Sequence, residues 1–181
     1  MIVDVKIEGT APLLQHRFLG EGQPAAKSKA KNVARVTDTA EDYLYQNKNG
    51  IYQPSTHIIG TMKKAGARFQ IPGQGKLTYK NLIGSGVVLV TPDAIPHIVQ
   101  DWEVDTRSVI VNRGRIMRSR PCFEKWALEF QLDIDDEEIP AEVVKDCLDH
   151  AGKRVGIGDF RPEKGGSFGR FHVTKWDVIE A

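Results

Sequence analysis

The residues best suited to binding chemistry lie in a glycine-rich segment, residues 156–170. Glycine tolerates positive φ angles and lets a ligand approach the main chain closely, and successive exposed N–H groups in such a loop form an anion-binding concavity. With cations beside them, these glycines predict a cradle for a phosphate backbone. A flexible connector is the alternative, although arginines and aromatic residues are not typical of linkers. The candidate ligand-binding residues of this segment are Gly158, Arg161, Lys164, Gly165, Gly166, Ser167, Phe168, Gly169 and Arg170.

Basic residues elsewhere in the chain are separated from the acids. Residues 22–37, 43–92 and 106–123 contain four, six and five lysines or arginines and no acid. Eight acids lie between Asp133 and Asp149. The formal net charge of +1 therefore conceals one basic and one acidic face. A basic face favours a polyanionic partner, with ordinary solvated surface as the alternative.

Seven cations in these windows are candidates for contacting a strand of nucleic acid. A helix after Pro54 would carry cations that track phosphates, and alternation along a strand would place Arg118 and Arg120 on one side. Arginine forms bidentate phosphate contacts and stacks on bases. We expect such binding to be weakly sequence-specific and strongly salt-dependent. The seven cations are Lys63, Lys64, Arg68, Arg113, Arg115, Arg118 and Arg120.

Three aromatic side chains, those of Tyr79, Phe160 and Phe168, are candidates for stacking on bases. Stacking on an aromatic ring tolerates any base, because every base has a π-face. Packing inside the protein is the commoner role for each of them.

Hydrophobic periodicity places these residues on a scaffold of strands and helices. Alternation over residues 2–8 and, most clearly, over 125–134 predicts strands with one buried face. An apolar stripe from Ser55 to about Phe69 predicts a helix, and Pro140 opens a second one. The other predicted elements are a buried strand at 87–90, strands at 102–112, 115–120 and 170–179, a hairpin around Asn47–Gly50, a glycine-rich insertion at 72–86 and a mobile loop at 19–40.

Without the insertions, the element order is β-α-β-β-α-β. This order predicts an α+β, ferredoxin-like, RRM-like core, in which two helices cover one face of an antiparallel sheet. The other face of the sheet would be free to present side chains to a ligand. We expect a single domain over residues 1–181, with insertions at about 19–54 and 70–86.

Composition argues against several classes of protein. No run of 18 apolar residues is present, so no membrane-spanning helix is expected. The first residues alternate and include acids, unlike a signal peptide. Two cysteines, Cys122 and Cys147, cannot build a disulfide framework, which favours a reducing, cytoplasmic setting. Their spacing is not typical of a structural zinc site, and we expect neither a metal nor another cofactor.

Two segments resemble the RAMP (repeat-associated mysterious protein) superfamily of CRISPR systems. One is the glycine-rich stretch at 156–170, before the last strand. The other is 50–68, where a strand, a proline, small residues and a basic helix resemble the backbone subunits that coat CRISPR guide RNA. The resemblance implies a subunit that coats single-stranded RNA in repeated copies, alongside other effector subunits. A phage or mobile-element relative that binds single-stranded RNA or DNA is an alternative.

The resemblance also implies a second activity, because some RAMP relatives are metal-independent endoribonucleases that use a histidine to activate a 2′-hydroxyl. His16, beside Arg17, and His57, at the start of the basic helix, are the weak catalytic candidates. A general base must lie within hydrogen-bond distance of its proton. Asp38 and Asp42 are weaker candidates for metal-assisted cleavage, since an aspartate in a loop usually caps or turns the chain.

A third interpretation is a structural protein that binds no nucleic acid. The basic windows of one copy would then pair with the acidic patch of the next, and a head-to-tail interface that does not close gives a filament. The loop at 19–40 and the helix at 140–151 would form the opposing ends. We interpret the acids at 133–138 as a solvated turn that favours the N-terminus of that helix, not as a metal site.

Overall fold

The computed structural model describes residues 1–19, 39–90, 93–111 and 113–180. No helix in these ranges is long and apolar enough to cross a membrane. Antiparallel sheets and a few helices give a mixed architecture that is compatible with the α+β class. The helices are α1 (Ser55–Gly66), α2 (Lys80–Gly86) and α3 (Ala141–His150). The strands are β1 (Ile2–Gly9), β2 (Leu13–Leu14), β3 (Gln46–Asn47), β4 (Gly50–Pro54), β5 (Val87–Leu89), β6 (Ala94–Pro96), β7 (Glu103–Val111), β8 (Gly114–Phe123), β9 (Ala127–Ile134) and β10 (Phe171–Glu180).

The largest sheet has the strand order β10-β1-β9-β5, and every neighbouring pair in it is antiparallel. Successive side chains of a strand point to opposite faces, so Val3, Val5 and Ile7 of β1 all lie on one buried face. The apolar sides of α1 and α3 share a single core with that face, through residues such as Met62 and Leu148. Both helices therefore pack against the same side of the sheet.

The opposite side of this sheet, which we call the open face, carries charges that neutralise one another. Lys6 Nζ lies 2.9 Å from a carboxylate oxygen of Glu8 and 3.9 Å from one of Glu129. Lys175 Nζ lies 3.4 Å from a carboxylate oxygen of Asp4. The open face was expected to be free for a ligand, but its lysines are already matched by acids and leave little to attract a polyanion.

A long hairpin of β7 and β8 extends from a second sheet, whose order is β2-β8-β7. The outer half of the hairpin is exposed or half-buried on both sides, and Ile110 and Met117 are 71% and 68% exposed. Arg113 stands beside the turn with a φ of 68°. A third small sheet has the order β3-β4-β6 and leads directly into α1.

Most elements were predicted correctly, and the exceptions have physical causes. Helix α2 was not predicted, because Asn81, Gly84 and Gly86 are poor helix formers; the buried Ile83 holds this helix against α1. Strand β5 was predicted to be buried, but it is a sheet edge, and Val88 is exposed. Strand β6 was not predicted, because it is too short to show the alternation of buried and exposed side chains that indicates a strand. Most of the loop predicted at 19–40 lies outside the described residues.

Candidate nucleic-acid interface

A cleft runs between the start of α1 and the glycine loop, residues 156–170. Cavities of about 400, 210 and 620 Å³ follow one another along it. The first two are both lined by His57 and Arg161, and the last two are both lined by Lys64 and Val155. Because neighbouring cavities share their lining, they form one groove, which we call the cleft.

The glycine loop forms a tightly packed wall of this cleft. A Cβ atom on Gly166 would lie 1.6 Å from the carbonyl oxygen of Phe160, and one on Gly169 would lie 1.8 Å from that of Ile157. The glycines are therefore needed for contacts within the protein. The predicted concavity of free N–H groups is wrong for eight residues of the loop, because their N–H groups donate to carbonyl oxygens of the chain: Gly156, Ile157, Asp159, Lys164, Gly165, Gly166, Phe168 and Gly169.

Asp159 organises one side of the first cavity. Its carboxylate accepts a hydrogen bond from the guanidinium of Arg120 and lies 3.2 Å from Nδ1 of His16. The hydrogen bonds from His16 and Arg120 hold the pKa of Asp159 well below its ordinary range, although burial acts in the opposite direction. Arg118 lies alongside, with its Nη1 atom 3.5 Å from Nε2 of His16 and its guanidinium 6.0 Å from the centre of the Tyr43 ring.

His57 forms the other side of the first cavity, and a buried polar network holds it. Its Nδ1 atom lies 2.5 Å from the side-chain nitrogen of Gln53, whose amide is completely buried. Gln15 and His97 complete the network behind it. Burial lowers the pKa of His57, as does the charge of Arg161. Burial also lowers the pKa of His97 to about 4, so both imidazoles are neutral at pH 7.

The third cavity is the most basic part of the cleft. Lys64 is paired with Glu163 at 2.7 Å. Arg68 and Arg154 line the same cavity and pair with no carboxylate of the described residues. Burial lowers the pKa of His150 between them, and the charges of Arg154 and Arg68 lower it further. Glu163 is the acid that lines this cavity, and it pairs with both Lys64 and Arg161. Arg68 and Arg154 are left without a carboxylate partner among the described residues, which suits an anionic ligand.

The cleft brings together five of the residues predicted for the interface. They come from a strand, a helix and a loop that are far apart in sequence. The remaining predicted cations lie elsewhere: Lys63 packs beside Gly84 of α2, and Arg113 and Arg115 stand near the tip of the β7–β8 hairpin. Lys164 and Arg170 are exposed on the loop. The five residues in the cleft are Lys64, Arg68, Arg118, Gly158 and Arg161.

Several candidate residues have structural roles instead. Arg120 is only 3% exposed and is committed to Asp159. Tyr79 and Phe168 are buried, and the guanidinium of Arg107 covers the Phe168 ring at 4.5 Å from its centre. Neither aromatic ring is available to a base, because no free face is presented to solvent.

Phe160 is the exposed member of the three aromatic candidates, at 41%. Of the two aspartates proposed for metal-assisted cleavage, Asp42 accepts hydrogen bonds from the main chain and side chain of Thr39, as a capping residue does, and Asp38 lies outside the described residues. Within the described ranges, no three His, Cys, Asp or Glu side chains converge where a metal ion could bind.

Sequence reasoning missed Arg154, His150, Asp159 and the two buried glutamines. Arg154 and His150 follow an acid-rich helix, so the search for acid-free windows passed over them. Asp159 stands inside the glycine loop, and an acid next to a proposed phosphate site gave no reason to select it. No pattern in the sequence marks the glutamines, because only the fold shows that Gln15 and Gln53 are buried together.

No protein-family model matches this sequence, and no curated protein matches it. A solved structure does match: a chain of the cryo-EM structure of the type III-B Cmr-β bound to cognate target RNA. The TM-score is 0.56 at 15% sequence identity, and the match covers 99% of this chain and 60% of that chain. The two chains therefore share a fold, and the present one corresponds to little more than half of its structural neighbour.

Proposed function

We propose that this protein is a RAMP-type subunit that binds single-stranded RNA along the cleft, without sequence specificity and in repeated copies. The observation that carries the proposal is the line of cations along three connected cavities: Arg118 and Arg161, then Lys64, then Arg68 and Arg154. A groove lined by successive cations suits a sugar–phosphate backbone, because the charge attracts phosphates whatever bases they carry.

The fold supports a ferredoxin-like core. In the order β10-β1-β9-β5, strand β9 separates β1 from β5, and β1 separates β9 from β10. Helix α1 lies in the connection from β1 to β5, and α3 lies in that from β9 to β10. A ferredoxin-like core is built from two such split β-α-β units, so this connectivity supports the arrangement that we propose. The β7–β8 hairpin is then an insertion between β5 and β9.

The structural neighbour supports the choice of RNA and of a CRISPR-type ribonucleoprotein. Its chain belongs to a type III-B Cmr-β structure bound to target RNA. By this analogy we propose other effector subunits as partners and the cytoplasm as the location. Repeated copies would stack head to tail along the strand.

The test is binding of a labelled single-stranded RNA of roughly 30 nucleotides, several times the footprint of a small domain. Affinity is measured at two salt concentrations, and the mass of the complex gives the number of protein copies per strand. We expect binding that weakens steeply with salt and several copies on each RNA. Absence of binding at low salt would refute the proposal. The cations would then be expected to lie in an interface with another protein. Tighter binding of DNA than of RNA would favour the alternative of a phage single-stranded-DNA-binding protein.

A metal-independent endoribonuclease is the second candidate, because His16 and His57 both line the first cavity. A carboxylate orients His16, as expected for a general base. Incubation of RNA with the protein in EDTA tests this activity. His16→Ala or His57→Ala should abolish cutting by an enzyme. In a protein that only binds RNA, no cleavage product would form either with the unmodified protein or with these variants.

A further inference from the structure

We propose that the first cavity of the cleft recognises the ribose 2′-hydroxyl, and so selects RNA over DNA, through two histidines of opposite hydrogen-bonding character. His57 presents a donor and His16 presents an acceptor. The inference rests on the proposed function, since it concerns a strand bound in the same cleft. The hydrogen bonds behind each ring determine its protonated nitrogen.

The orientation of Gln15 is fixed by two main-chain groups. The N–H of Tyr45 donates to Gln15 Oε1 at 2.9 Å, and Gln15 Nε2 donates to the carbonyl of Tyr52 at 2.9 Å. A main-chain N–H can only donate and a carbonyl can only accept. The side-chain amide of Gln15 therefore has one possible orientation, and its nitrogen is the atom that faces Gln53.

This orientation determines the hydrogen bond made by His57. Gln15 Nε2 lies 3.4 Å from Gln53 Oε1, so Gln53 turns its oxygen towards Gln15 and its nitrogen towards His57. An amide nitrogen only donates, so Nδ1 of His57 must accept. A neutral imidazole that accepts at Nδ1 carries its proton on Nε2. His57 thus presents an N–H donor to the cleft.

His16 has the reverse arrangement. Its Nδ1 atom faces the carboxylate of Asp159 at 3.2 Å. An ionised carboxylate only accepts, so Nδ1 carries the proton. Nε2 faces Nη1 of Arg118 at 3.5 Å, and a guanidinium only donates. The lone pair of His16 is therefore on Nε2, and the long distance to Arg118 leaves this acceptor weakly used.

A hydroxyl both donates and accepts hydrogen bonds, and the 2′-hydroxyl is the group that distinguishes RNA from DNA. One cavity of about 400 Å³ is lined by both histidines and by Arg118 and Arg161. Arg161 is paired with Glu163, whereas Arg118 pairs with no carboxylate of the described residues and would neutralise a phosphate beside the sugar. A sugar lacking the hydroxyl would leave the N–H of His57 without its partner, which costs affinity.

The experiment compares three strands of one sequence: RNA, 2′-fluoro RNA and DNA. The fluorinated strand keeps an RNA-like sugar shape but has no hydroxyl donor. The full chain should bind RNA about tenfold more tightly than either of the others, as the loss of one or two hydrogen bonds predicts. His57→Ala and His16→Ala should each reduce this preference to about twofold while leaving the affinity for DNA nearly unchanged. His172→Ala, an exposed histidine on β10, is the matched control and should keep the full preference.

Nitrogen-15 spectra of the histidine side chains provide a second test that needs no RNA. The proton of His57 should be on Nε2, and Gln53→Leu, which removes the donor to Nδ1, should abolish that tautomer preference. A proton on Nδ1 of His57 in the unmodified protein would overturn the inference. So would equal binding of all three strands, or an RNA preference that persists in both histidine variants; the proposed function survives these results. If no strand binds, both proposals fail.

Discussion

The open face of the large sheet and the cleft are both rich in charged residues, yet they differ in how those charges are paired. On the open face, Lys6 and Lys175 each lie close to acids. In the cleft, Arg68 and Arg154 line a cavity, and neither arginine pairs with a carboxylate among the described residues. The number of cations alone would not distinguish the two regions. The pairing of the cations with acids does distinguish them, because an unpaired cation retains its attraction for an external anion.

The largest effect is expected from Asp159→Ala, which removes the acid that neutralises a buried arginine. Arg120 would be left charged and 3% exposed, and breaking a buried pair in this way costs about 3 kcal/mol. Urea unfolding measures the change. Asp177→Ala on the open face is the control, since its partner Lys175 is exposed and the loss should stay within about 0.5 kcal/mol. Similar losses for the two variants would contradict the distinction between the regions.

Reversing the two unpaired charges of the third cavity tests whether they attract a strand. The double variant Arg68→Glu, Arg154→Glu should weaken RNA binding on the order of a hundredfold, and should lower the slope of log affinity against log salt by about 1.4, from two lost phosphate contacts. Lys145→Glu on α3, where Lys145 pairs with Asp149, changes the net charge by the same amount as Arg154→Glu alone and is its matched control. Equal effects of these two single changes would show that only net charge matters.

The network behind His57 should make stability depend on pH. The pKa of His97 is about 4 in the folded protein and about 6.5 in the unfolded chain. Its contribution is fully present above pH 6.5 and is lost as the pH falls towards 4, by roughly 1.4 kcal/mol per pH unit. Unfolding followed between pH 7 and 4.5 measures this loss. His97→Gln should flatten the profile, whereas His172→Ala should leave it unchanged.

The smallest effect on stability and on RNA affinity is expected at Gly60, where the cleft leaves space for a side chain. A Cβ atom on Gly60 of α1 would meet no heavy atom within 4 Å, although Gly60 lines the second cavity. Gly60→Ala should therefore raise the free energy of unfolding by about 0.5–1 kcal/mol through helix propensity, with RNA affinity changed by less than about twofold. A large loss of affinity would mean that the strand approaches α1 more closely than the groove suggests.

The sequence predicted the scaffold well where periodicity was strong. The alternation of β1 and β9 and the apolar stripes of α1 and α3 all follow from which residues must be buried. Helix α2 could not be predicted, since its glycines and asparagine oppose helix formation and only the contact of Ile83 with α1 compensates. Tertiary packing overrides local propensity in such a segment.

The candidate site was predicted in part. Arg118 and Arg161 were selected as cations, and both line the cleft. Exposure decides the use of an arginine, however, and the sequence does not show that Arg120 is buried while Arg118 is half-buried. The glycine loop was located correctly and interpreted wrongly, because positive φ angles serve internal packing as readily as ligand approach. The Gln15–Gln53 network lies beyond prediction from a single sequence, as it joins residues that meet only in the folded chain.

The β7–β8 hairpin is attached to the glycine loop, so a movement of the hairpin would be transmitted to the wall of the cleft. Arg107, midway along β7, covers Phe168, and Arg120 of β8 binds Asp159, so both strands are fastened to the glycine loop. From Arg107 to Val111, the end of β7, the strand spans about 13 Å. A force applied at the exposed tip would act through that length on the wall of the cleft, and rotation of the arm would move Asp159 and His16 together. A protein subunit that binds the tip of the hairpin would thereby change the width of the cleft that receives the nucleic acid.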